Sequence, residues 1–120
     1  MPVDQFTERL AKVRHRFAST LESKIKDTYV ALPNLSGNGD DVVDVVGENY
    51  RRIHSIAGIG NAVGFGATGR AARSVENVLL PAHCAGRGLK ADEIAALKKE
   101  LQALRDAAQR ELDLAAASGM

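Results

Sequence analysis

Residues 49–80 read NYRRIHSIAGIGNAVGFGATGRAARSVENVLL. Two amphipathic repeats meet in this stretch. In the first, Asn49, Ile53, Ile56, Gly60 and Val63 recur at three- and four-residue steps, the spacing that lines up one face of an α-helix. Traced backwards, the same stripe passes through Val46 and Val42, and Asp40 or Asp41 suits its N-cap. In the second repeat Thr68, Ala71, Ala72, Val75 and Leu79 share a face, which predicts a helix from about Phe65 or Ala67 to Leu80 with Pro81 close to its end.

Upstream, Phe6, Leu10, Val13, Phe17, Leu21 and Ile25 predict a long helix from about Asp4 to Ala31, broken at PNLSGNG by Pro33, Gly37 and Gly39. Downstream, Gly86 and Gly88 mark a turn. A last helix is expected to begin near Ala91, with Asp92 and Glu93 favourably placed in its first turn. Its seam is Ile94, Leu97, Leu101, Leu104, Ala108 and Leu112, and it fades into AAASGM, read as a short flexible tail from about residue 115. That seam is short for a self-standing coiled coil, so packing inside the domain is expected instead. Strand signals are scarce: VVDVV sits within a helical repeat and aromatic residues are only 4%. Four amphipathic helices with short connections predict an all-α fold, an up-and-down antiparallel four-helix bundle forming one domain over residues 1–120.

Hydrophobic residues at 45% and charged residues at 26% suit a folded chain rather than a disordered one. Sixteen basic and 15 acidic residues leave a formal charge of +1, so no overall field draws the chain to nucleic acid or to an anionic membrane. Cys84 stands alone, which excludes an intramolecular disulfide and suits a reducing compartment; a cytoplasmic location is expected. The opening MPVDQFTERLAKVRHRF has no apolar run of signal-peptide length, and nothing later approaches the ~20 apolar residues of a membrane span.

The chemistry is expected at His54. It falls one position off the apolar stripe, beside Ile53, so its ring belongs at the edge of the solvent face. Gly58 and Gly60 lie inside the same helix, at a cost of about 1 kcal/mol each relative to alanine. Helical side chains lean toward the N-terminus, so a side chain at 57 or 58 would lie over the imidazole, and Gly58 uncovers it. Gly60 has another reading, the close approach of a neighbouring helix. A bared imidazole can attack through one nitrogen while the other keeps its proton, and an acceptor for that proton would fix the tautomer. Glu76, at the flank of the next stripe, is the candidate. It either faces His54 across the groove or pairs with Arg73 within its own helix, and periodicity leaves both open. Asn61 follows on the His54 side, and Tyr50 and Ile59 either anchor a docked partner or pack against the first helix. His83 and Cys84 adjoin without the further spaced ligands zinc needs, so no metal is expected, and His15 in RHR reads as a surface residue.

The run His54, Ser55, Ile56, Ala57, Gly58, then Ile59 to Ala62, then Val63 and Gly64 resembles the motif of the histidine-containing phosphotransfer family. The family pattern is His, any residue, an aliphatic residue, often Lys, then Gly, a run of small residues, an aliphatic residue and Gly. The resemblance implies a four-helix bundle in which His54 is reversibly phosphorylated. The donor and acceptor it implies are aspartates of response-regulator receiver domains, fed by an upstream histidine kinase or hybrid kinase. It also implies a Gln or Glu 22 positions after the histidine as its hydrogen-bond partner, which is Glu76 here. The receiver supplies Mg²⁺, so the chain needs no cofactor and no kinase activity of its own, and it is expected to act as a monomer. Ala57 departs from the pattern where many members carry a lysine; Arg51 leans away, which leaves Arg70 or Arg73 as substitutes or as solvated arginines. Two other functions compete. One is a dimeric histidine phosphotransferase of the sensor-kinase type, against which Ser55 stands where an acidic residue usually follows the histidine. The other is a binding module that has lost phosphotransfer, with Ala57 as its sign.

Overall fold

In the computed structural model, which describes residues 5–118, the stripes read around residue 54 become the facing sides of two helices, α2 (Asp40–Ala62) and α3 (Gly66–Ala85). Before them come α1 (Gln5–Ala31) and a single 3₁₀ turn (Leu32–Asn34), and after them α4 (Ala91–Ala117). The fold is all-α, with no strand among the described residues, and four helices pack together. None of the helices is long and apolar enough to cross a membrane among the described residues. Asp4, where the first helix is expected to begin, lies outside the described residues. α4 stays helical to Ala117, past the expected fading at about 115.

Val46, Ile53 and Ile56 of α2 meet Ala72, Val75 and Leu79 of α3, and Leu97, Leu101 and Leu104 of α4 close the same core; all nine are fully buried. Each large apolar side chain so buried contributes roughly 1.5–3 kcal/mol over leaving it in water. The crossing of α2 and α3 is tight because Gly60 has no side chain. A Cβ there would stand 3.4 Å from Gly69 Cα and 3.3 Å from the Phe65 carbonyl oxygen. Close helix approach, one of the two readings of Gly60, is thus the structural one. Phe17 of α1 lies over this crossing, edge-on to Phe65 with ring centroids 5.2 Å apart.

Both helices of the pair end on the same device. Gly64 (φ +89°) and Gly86 (φ +63°) take up left-handed backbone that a side chain would oppose. The following N–H then reaches back to a carbonyl of the last turn, Phe65 to Gly60 at 2.8 Å and Arg87 to Ala82 at 3.1 Å. α3 therefore runs five residues beyond its expected end at Leu80. Pro81 lies inside the helix and gives up one backbone donor, and Gly86 is the true stop. At the start of α2, Gly39 occupies the N-cap, and Asp40 and Asp41 lie in the first turn, where their charges favour the helix dipole.

α1 departs most from expectation. Phe17, Leu21 and Ile25 are buried, but Phe6 is 69% and Val13 45% exposed. The C-terminal half of the predicted stripe is buried in the core, and of the N-terminal half only Leu10 packs against it, half-buried. The turns at the two ends of the molecule are tied by polar contacts. At the α2–α3 turn, Arg14 donates from Nε to the Val63 carbonyl at 2.8 Å, and Glu111 of α4 accepts the N–H of Thr68 at 2.6 Å. At the opposite ends of α2 and α3, Leu89 N–H donates to the carbonyl of buried Leu35 at 2.7 Å, and Gly88 sits so close that a Cβ would stand 2.6 Å from the Gly37 carbonyl oxygen. Arg87 bonds both oxygens of Glu93 there, at 2.7 and 3.2 Å. Its guanidinium, and then the Lys90 N–H, hold the Glu93 carboxyl below the usual range. That contribution is present above the ordinary carboxylate pKa and is lost as acid protonates the folded-state group.

Candidate functional site

α2 presents His54 on its outer edge, one residue past buried Ile53, and the imidazole is 60% exposed. Its Nδ1 lies 2.8 Å from Oε1 of Glu76 on α3. The Glu76 side chain is only 7% exposed, deeper than the flank position expected of it. Arg73 donates to both of its oxygens, at 3.1 Å to Oε1 and 2.9 Å to Oε2. The two readings of Glu76 are therefore both realised, and Oε1 accepts from arginine and histidine together. A carboxylate engaged by a guanidinium on both oxygens offers only lone pairs to a third group, so Nδ1 is the donor. In the neutral ring, Nε2 then carries the free lone pair.

Next to the ring the helix is bare. A Cβ on Gly58 would meet nothing within 4 Å, and Gly58 is exposed. Ala57 is a correction. It is fully buried, so it neither covers the imidazole nor belongs to a docking surface. Its methyl group lies on the core side, which a lysine at this position would have to leave to reach solvent.

The remaining predicted site residues divide. Tyr50 and Ile59 are half-buried. The Tyr50 ring lies in a plane within 12° of His54, at a centroid distance of 6.0 Å. Asn61 is exposed but lays its amide against α3, where a Cβ on Gly69 would collide with it at 2.5 Å from Oδ1. Arg70 is exposed and folds back over Gly66, 3.3 Å from where a Cβ would stand there. Arg73 reaches the other way along α3, to Glu76. Arg51 leans toward the N-terminus of α2, over Gly47, as its direction on the helix predicts.

His83 is the residue near this site that periodicity did not bring out. It stacks on Tyr50 with centroids 4.4 Å apart and planes within 14°. It lies in the last turn of α3, past Pro81. Cys84, its neighbour, is exposed and free, and His15 is exposed. Among the described residues no group of three or more His, Cys, Asp or Glu side chains is placed to hold a metal ion. Comparison with models of known protein families, with curated proteins and with solved structures finds no match for this chain.

Proposed function

We propose that the chain is a phosphocarrier of the histidine-containing phosphotransfer type, its four helices forming an up-and-down antiparallel bundle. His54 takes a phosphoryl group from a phospho-aspartate of a receiver domain or hybrid kinase and passes it to a response regulator. The observation that carries this reading is an exposed imidazole whose inner nitrogen is held by a largely buried carboxylate, beside a glycine that leaves its outer nitrogen approachable. In the step, the Nε2 lone pair attacks phosphorus. The bond from phosphorus to the aspartyl oxygen breaks and its electron pair leaves with the carboxylate. Nδ1 keeps its proton throughout, and Glu76 balances the positive charge that grows on the ring.

Little else is asked of the chain. Mg²⁺ and the aspartate belong to the receiver, so docking that sets the two groups in line supplies most of the rate. Of the two candidates for the cation missing at Ala57, Arg73 is the one that shares a partner with His54, through Glu76, while the guanidinium of Arg70 is turned back onto Gly66. A monomer in the cytoplasm, with receiver domains as partners and no bound cofactor, completes the reading.

Incubation with phosphorylated receiver domains tests it. An acid-labile label should appear on the wild-type chain and be absent from His54→Gln. No label on the wild type, or label retained by the variant, would end the phosphocarrier reading.

A further inference from the structure

A hydrogen bond at Nδ1 fixes one corner of an imidazole. It leaves the ring free to swing about that corner, and the Nε2 lone pair, which lies in the ring plane, swings with it. Tyr50 is one helical turn before His54, and the two rings are almost parallel, 12° apart at a centroid distance of 6.0 Å. At that distance the parallel rings are offset, without full overlap. Tyr50 is itself held more firmly, against His83 of α3 at 4.4 Å and 14°.

His83 is seated in turn. It is half-buried, and a Cβ on Gly47 would stand 3.6 Å from both its Cε1 and its Nδ1, so the ring rests over the bare backbone of α2. The Arg51 guanidinium closes the same spot, 3.2 Å from that point. His83, Tyr50 and His54 thus form a run of three nearly parallel rings that begins on α3 and ends at the exposed imidazole.

We propose that Tyr50 and His83 are positioning residues for His54: the stack of Tyr50 on His83 sets the plane of the imidazole, so that Nε2 points along the line on which a phosphoryl group arrives. The role rests on the phosphocarrier reading of His54. Glu76 sets which nitrogen is free, and the stacked pair sets where that nitrogen aims. Displacement at phosphorus is sensitive to this aim, since an error of about 1 Å in a reacting group costs up to about 100-fold in rate.

The test compares His83→Ala, His83→Phe and Tyr50→Leu with the wild type in two measurements. The first is the rate of phosphoryl transfer from a phosphorylated receiver domain. His83→Ala and Tyr50→Leu should slow it by about three- to tenfold, whereas His83→Phe, which keeps a flat ring against Tyr50, should stay within about twofold of wild type. The second is the NMR spectrum of the unphosphorylated protein. The His54 ring protons should shift in the alanine and leucine variants as the neighbouring ring current moves or disappears. The ¹⁵N signature of the Nδ1–H tautomer should persist, because Glu76 is untouched.

Unchanged transfer and unmoved His54 ring signals in His83→Ala would overturn the proposal, as would equal slowing by alanine and phenylalanine. His83→Phe also guards against a folding defect, since it removes the histidine while filling its place. If the wild type accepts no phosphoryl group, it is the phosphocarrier reading that fails. The ring signals would still decide whether Tyr50 and His83 orient His54.

Discussion

Along α2 the stripe from Val46 to Val63 is closed to solvent at every position, whereas the stripe of the same spacing that opens α1 leaves Phe6 69% and Val13 45% exposed. The residues are of the same kind and the periodicity is equally regular. What differs is the surroundings: α2 has α3 packed against it, brought close by Gly60 and Gly69, while Phe6 and Val13 of α1 line an open groove beside the end of α2. Helical spacing identifies a face, and only a neighbour turns that face into core.

Substitutions along the two stripes should separate them. The largest effect is expected at Ile53, fully buried one residue before His54, where Ile53→Ala should cost about 2–5 kcal/mol in chemical denaturation. A smaller effect of opposite sign is expected at Gly58, on the open side of the same helix. Gly58→Ala should stabilise by about 0.5–1 kcal/mol, because its methyl group meets nothing. Gly58→Leu, carrying a side chain that leans back over the imidazole, should slow phosphoryl transfer; an unchanged rate would remove the uncovering role given to this glycine. The smallest effect belongs to α1, where Val13→Ser should stay within about 0.5 kcal/mol of the wild type. A cost at Val13 like that at Ile53 would break the comparison.

Much of this was legible in the sequence. The stripes of α2, α3 and α4 stood out because four helices that share one core repeat their apolar residues along most of their length. His54 was legible for the opposite reason, as a polar ring one step off such a stripe, and Gly58 because an open glycine inside a helix has no local benefit. The partnership of Glu76 with both His54 and Arg73 was hidden, since spacing within α3 cannot say which way a carboxylate turns. Ala57 was misplaced because the lean of side chains toward His54 was weighed above its spacing, four residues after Ile53 and three before Gly60, which puts it on the core side. The contact of His83 with Tyr50 was hidden because the end of α3 was set short, by a rule of thumb. Proline tends to end helices, yet α3 continues past Pro81 to Gly86, and the extra turn carries the ring that stacks on Tyr50.

The contact of Gly88 with Gly37 has a use of its own. A methyl group at residue 88 would press on the backbone of the other interhelical connection and on Val42, with no flexible side chain to absorb the push. Both connections lie beyond the helical turns that hold His54 and Glu76. Gly88→Ala should therefore be temperature-sensitive in its folding, with thermal melting of the purified variant at a lower temperature than the wild type as the check. Such a variant would let the fold be lost by warming while every atom of the His54–Glu76 pair stays as it is.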